Sequence, residues 1–240
     1  MLLHGTGNDR GSSPTGAGSW SGAAWRGARR FPTTLTLLAA LTLGALATGS
    51  AVSPLAPELL SRLGFSPSDL WSRDFPRIVT SIAFTWGGLS FYGVLLLTAV
   101  CVGLAEWRLR SRGAAETFLV SHLAASLVES LLVALPFLWL GAPWAESFAR
   151  AADVGPSAGC FGCVGGAVAA LPRRAAIPVA IMLALTSFAV ATYDPVVPVP
   201  FMTRMVSSVA HPIAALCGYA WVRLRRPDLS SRKIREARRP

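Results

Sequence analysis

Apolar side chains run along this chain in long stretches separated by short clusters of charge. The stretches exceed what a buried strand or an ordinary core helix needs. Runs of about 18 or more apolar residues read as membrane-spanning helices. They occur at Phe31 to Pro57, Ile78 to Ala105, Thr117 to Trp144, Val154 to Leu171, Ala175 to Tyr193 and Met205 to Val222. Only the third contains a carboxylate, Glu129. The pattern predicts an all-α membrane protein with a six-span bundle over residues 31–224, and a basic cytoplasmic tail over 225–240. Residues 1–30 are rich in Gly, Ser and Ala and cannot bury enough apolar surface to offset chain entropy, so they read as a disordered cytoplasmic tail. The segment from Leu55 to Phe75 alternates apolar and charged residues. It is too polar to span and is expected at the outer interface, with Trp71 and Phe75 at headgroup level.

Charge adds a direction to this pattern. Arginines gather before the first span (Arg26, Arg29, Arg30), after the second (Arg108, Arg110, Arg112), after the fourth (Arg173, Arg174) and after the sixth. The other connections mix signs. Basic loops alternating with mixed ones follow the positive-inside rule and place both termini in the cytoplasm. The net charge of +10 is therefore a topology signal, and the partner it implies is the lipid bilayer, with no nucleic acid. Hydrophobic residues make up 52% of the chain and charged residues 14%, against roughly 25% charged in a soluble domain. Near-exclusive use of Arg over Lys, with abundant Ala and Gly, suits a GC-rich bacterial genome and an integral plasma-membrane protein. The stretch from Arg29 to Ala51 also has the form of a signal peptide. Retention as a first span is preferred, because its removal would break the alternation.

All four cysteines, Cys101, Cys160, Cys163 and Cys217, fall inside the expected spans, where disulfides are not anticipated. Cys160-x-x-Cys163 lacks a second ligand pair and reads as small-residue packing among glycines. No metal or cofactor is expected.

The candidate chemistry centres on Ser157, in Gly155-Pro-Ser-Ala-Gly159, at the start of the glycine-lined fourth span. Gly155-x-x-x-Gly159 and Gly162-x-x-x-Gly166 are close-packing patterns. The sixth span answers with Ala210, Ala214 and Gly218 at i, i+4 and i+8. It also carries His211. Ser157 stands 16 residues before Arg173 and His211 stands 12 before Arg223. At 1.5 Å per residue these lie roughly 24 and 18 Å above the cytoplasmic boundary. Both fall in the outer half of the membrane, within hydrogen-bond reach of one another. A serine hydroxyl needs a base to become a nucleophile, and histidine is largely neutral at physiological pH. A helix N-terminus at Ser157 would favour a developing oxyanion.

The order and spacing of these residues resemble the rhomboid family of intramembrane serine proteases. Gly155-Pro-Ser157-Ala-Gly-Cys-Phe161-Gly162-Cys-Val-Gly165 is similar to the family's Gly-x-Ser-Gly stretch with its trailing Phe-Gly-x-x-Gly. His211-Pro-Ile-Ala214-Ala-Leu-Cys-Gly218 is similar to His-x-x-Gly-x-x-x-Gly. Arg77, at the opening of the second span, and Glu106-Trp-Arg108 at its close also match residues that the family commonly carries. The likeness covers roughly residues 60–222. It implies Ser157 as nucleophile, His211 as general base, Phe161 as the ring packed on the imidazole, and membrane-spanning protein substrates cleaved near the outer face. Gly155 and Ser90 would support the oxyanion, while Gly159, Gly162, Gly166, Ala214 and Gly218 would pack the two helices.

Departures from the family pattern bear on activity. Ala158 and Ala214 replace glycines, and Pro212 is expected to start or kink the helix beside His211. The second-span His and Asn that assist the oxyanion in the family correspond here to Ser90 and Val94. These exchanges support an alternative, a rhomboid-like protein without proteolysis that binds other transmembrane segments. A third class, a transporter or channel using Glu129 and His122 as a proton-linked pair, rests on their seven-residue spacing along one helix face.

Overall fold

A computed structural model describes residues 30–172, 174, 177 and 200–225 of the 240. The expected fifth span (Ala175 to Tyr193), most of the outer loop after it, the N-terminal tail and the C-terminal tail beyond Arg225 lie outside the described residues. Among the described residues every named element is helical. Two helical stretches, Leu89–Trp139 and Phe201–Arg225, are long and apolar enough to cross a membrane.

Helix α1, Pro32–Thr48, opens on a proline and stops at Gly49, whose left-handed φ of 69° ends it. The first apolar run therefore yields 17 helical residues, and the rest of it turns over the end of the helix. The segment of alternating apolar and charged residues that follows folds as three short helices, α2 (Pro57–Leu63), α3 (Pro67–Trp71) and α4 (Pro76–Thr80), each begun by proline. Trp71 and Phe75 are exposed. Arg77 lies in α4 and pairs with Asp74 (2.7 Å) and Asp69 (3.4 Å), so it pins these short helices together and does not open a span.

The next long helix, α5 (Leu89–Val128), begins eleven residues later than the apolar run that predicts it. Gly87 and Gly88 adopt positive φ immediately before it. A Cβ at Gly87 would meet backbone atoms of Ser50, Ser53 and Leu55. The chain thus crosses tightly over the end of α1 before α5 can start. Helix α5 is broken at Arg110 (φ 65°, ψ 167°). A straight helix would put residues 89 and 122 about 50 Å apart, yet His122 Nε2 lies 2.8 Å from the Ile78 carbonyl oxygen, just upstream of α5. The chain turns back at Arg110, and 89–109 and 111–128 are two traverses. The second continues through a π-helical turn, Glu129–Ala134, into α6, Leu135–Trp139. Helix α7 (Ala145–Ala149) then leads to α8 (Ser157–Ala169) and α9 (Phe201–Arg225).

Helix α8 is the centre of the bundle. From Ala158 to Ala169 every residue except Phe161 is buried, as befits a helix without a polar face. Its small residues admit neighbours at backbone distance on two sides. Gly159 and Gly162 face Phe118 and Ser121 of α5, while Gly162, Gly165 and Gly166 face Ala214, Ala215 and Val222 of α9. The rising order of these partners makes α8 and α9 parallel. Cys160 contacts Thr98 (3.6 Å), and Cys163 contacts the Ala114 carbonyl (3.7 Å), so the two thiols serve different helix contacts. All four cysteines are free.

The surface is apolar and much of the polar inventory is inside. Leu43 and Leu96 are each 67% exposed, whereas Thr98, Thr117, Ser121, His122, Ser126, Glu129 and Ser130 are buried. Glu106 shows how such burial is satisfied. Its carboxylate accepts from Thr33 N and Thr34 N (2.9 Å each) and from Thr34 Oγ1 (2.7 Å). A residue at the foot of the first traverse thereby caps the otherwise uncapped N-terminus of α1.

Candidate functional site

Ser157 is the first residue of α8, and Pro156 precedes it as the cap. The first intrahelical bond runs from Cys160 N to Pro156 O (2.9 Å). The N–H groups of the first turn, from Ser157 to Gly159, have no intrahelical partner and point past the serine. That is the donor arrangement a tetrahedral oxyanion requires. Ser157 itself is half-buried.

His211 comes from α9 and is buried. Phe161, one turn below Ser157, stacks on its imidazole with ring centroids 4.2 Å apart and planes 12° from parallel. The two helices present these rings to each other because glycine and alanine hold their backbones in contact just below. His211 Nε2 is buried and has no hydrogen-bond partner among the described residues. Ser157 and His211 are therefore linked through the Phe161 ring, and no hydrogen bond joins Ser157 to Nε2. Helix α9 begins at Phe201 and runs unbroken past Pro212. The proline neither starts the helix nor terminates it, and the helix carries the loss of one N–H and the crowding of its ring against the preceding turn. Ala214 lies against Ala158 and Ala125, and Gly218 against the Gly162 backbone.

Other sequence-predicted residues take different places. Gly155 has φ +131°, a conformation suited to glycine, and donates its N–H to Ser81 O (2.9 Å). It forms the turn into α8, and its donor is already committed. Ser90 and Val94 sit in the first two turns of α5 and are half-buried. His122 uses Nε2 on the Ile78 carbonyl and stacks on Phe118 (6.4 Å, 3°), fastening the segment before α5 to the second half of α5. Glu129 is buried in the π-helical turn, and Oε1 has no partner among the described residues. No hydrogen bond joins it to His122.

One residue of the site had no signal beyond its charge. Asp153, four residues before Ser157, accepts from Trp86 Nε1 (3.1 Å), Ser207 Oγ (2.6 Å) and Val154 N (2.8 Å). Its backbone pairs in both directions with Phe65 (2.8 and 2.9 Å). Ser207 lies one turn above His211 on α9, so Asp153 ties the loop before α5, the approach to α8 and the upper part of α9 into one unit. Burial pushes its carboxyl up, and the three hydrogen bonds pull in the opposite direction. A sequence reader could note only that Ser207 repeats His211 at i−4.

No metal-holding group of three His, Cys, Asp or Glu occurs among the described residues. No protein-family model, curated protein or solved structure matches the chain.

Proposed function

We propose that this chain is a six-span plasma-membrane serine endopeptidase of rhomboid-like type, with both termini cytoplasmic, that cleaves membrane-anchored proteins near the outer face. The observation that carries the reading is the Phe161–His211 stack at the mouth of a helix whose first residue is Ser157. The inside-out burial pattern supports a lipid surround, since such an apolar surface is unfavourable in water. In the reaction, Ser157 Oγ attacks the scissile carbonyl as its proton passes to His211 Nε2. The N–H groups opening α8 stabilise the oxyanion. The imidazolium then protonates the leaving amine, and water, deprotonated by His211, releases the acyl group from Ser157. Serine and histidine contacts of this kind often tighten only when substrate is bound.

A second reading, a rhomboid-like protein that binds transmembrane segments without cutting them, is favoured by Ser90 and Val94. One of these positions keeps a hydroxyl and the other has no donor. Losing one oxyanion donor costs about 2.7–4 kcal/mol of transition-state stabilisation, which slows an enzyme without abolishing it. The two readings separate on a fluorophosphonate probe applied to the purified full chain, together with tagged single-span substrates co-expressed with it. The protease labels and cuts, and both signals vanish in Ser157→Ala and His211→Ala. Labelling that survives His211→Ala excludes the dyad. Absent cleavage and labelling, where an active control cuts the same panel, excludes the protease and favours the binding reading.

A further inference from the structure

At the opposite end of the bundle, the turn at Arg110 and the last turn of α9 enclose a cavity of about 330 Å³. Arg110, Arg112 and Arg225 line it with a single carboxylate, Glu116, and Trp221 forms one wall. Glu116 is shared. Arg112 donates to one of its oxygens (2.9 Å) and Arg225 to the other. Arg225 also lies over the Trp221 ring, 4.2 Å from its centroid. Each guanidinium carries five N–H donors in a planar fork, so one bond to Glu116 leaves most of them directed elsewhere. Arg110 has no carboxylate partner among the described residues. Its backbone is held at φ 65°, a conformation that costs a non-glycine residue energy and fixes the start of the side chain at the cavity rim. Below the charges the wall turns apolar at Leu109. Three solvent-facing guanidiniums, one carboxylate and an indole at the end of a bundle match a tetrahedral oxyanion on an apolar stem.

We propose that this cavity binds the phosphate of an anionic phospholipid headgroup in the cytoplasmic leaflet. The site rests on the membrane-spanning reading and not on the chemistry at Ser157. Two excess positive charges would be neutralised by a phosphate monoester, or halved by a phosphodiester. The lipid tails would then continue along the exposed leucines of the bundle. Glu116 competes with the phosphate for Arg112 and Arg225, and this gives the proposal a signature that a purely structural ion-pair network lacks.

The test measures thermal unfolding of the full chain in neutral detergent titrated with phosphatidylglycerol, with phosphatidylcholine, or with inorganic phosphate. Phosphatidylglycerol is expected to raise the midpoint and phosphatidylcholine is not. In the Arg110→Gln/Arg225→Gln double variant the apparent affinity for phosphatidylglycerol falls on the order of tenfold or more. In Glu116→Gln the phosphatidylglycerol response grows, although the ion pairs are lost. An unchanged response in the double variant, or a diminished one in Glu116→Gln, overturns the site. Inorganic phosphate that reproduces the full response overturns the lipid assignment. Fluorophosphonate labelling unchanged in these variants shows that the site is separate from Ser157, and loss of labelling with the fold intact refutes that separation.

Discussion

Gly218→Ala is the substitution for which the structure fixes both sign and size. A methyl group at this position would press hardest on the Gly162 carbonyl oxygen, and would also lie 2.7 Å from the Gly162 carbonyl carbon and 2.9 Å from Gly162 Cα. Carbon atoms rest at about 3.5–4.0 Å, so α8 and α9 must part by roughly 0.8 Å or more. No obstacle here is a flexible side chain that could swing away. Overpacking of this kind costs about 1–3 kcal/mol, and with three backbone atoms in the way the upper half of that range applies, against a gain of up to about 1 kcal/mol from replacing glycine inside a helix. The net expectation is destabilisation by about 1–2 kcal/mol. Gly93→Ala supplies the control, because nothing lies within 4 Å of a methyl group there and only the helix gain operates. Parting the helices also shifts His211 relative to Ser157 and loosens the Phe161 stack. Misplacement of reacting groups by about 1 Å can cost on the order of a hundredfold in rate. Thermal unfolding in detergent and the rate of fluorophosphonate labelling, measured on both variants, read the two consequences. If Gly218→Ala matches Gly93→Ala in midpoint and the wild type in labelling rate, the close α8–α9 contact is not what sets the site.

Two further outcomes test contacts outside that interface. Removing the Glu106 carboxylate strands two backbone N–H groups and a hydroxyl at the start of α1. Glu106→Ala is expected to lose about 3 kcal/mol and Glu106→Gln less, with faster amide exchange at Thr33 and Thr34; equal midpoints for wild type and Glu106→Ala would refute the cap. Burial raises the Asp153 carboxyl in the folded state, so the fold binds that proton more tightly than the unfolded chain. The stability it contributes is present below the ordinary carboxylate pKa of about 3.9 and is lost as pH rises through the folded value. Asp153→Asn should therefore gain in midpoint relative to wild type as pH rises above about 4; a wild type that gains relative to the variant would show that the ionised carboxylate holds the unit together.

The helical class and the residues worth watching were legible from the linear pattern. Long apolar runs leave few alternatives in a charge-poor chain, and they marked four of the described helices. The glycine and alanine spacing in α8 and α9 is likewise a local signal, since backbone proximity demands small side chains at fixed intervals. Phe161 and His211 could be paired on paper through the resemblance to rhomboid motifs. What spacing could not supply is where regular structure stops. The second apolar run does not enter its long helix until Leu89, because the chain must first cross over the end of α1. That is a contact between distant segments, invisible to a window. Pro212 is tolerated within α9 because packing against α8 outweighs one lost hydrogen bond. Asp153 looked like one charge in a mixed loop; its meaning comes from Trp86 and Ser207, 67 and 54 residues away in sequence. Glu106 read as the end of an expected span and proved to be the cap of helix α1. The sequence by itself determined which segments avoid water and which small residues allow close approach, since both follow from side-chain size and polarity. Only the tertiary structure decided which polar groups satisfy one another. Hydrogen bonds need partners at fixed distance and angle, and that geometry exists only after the helices have packed.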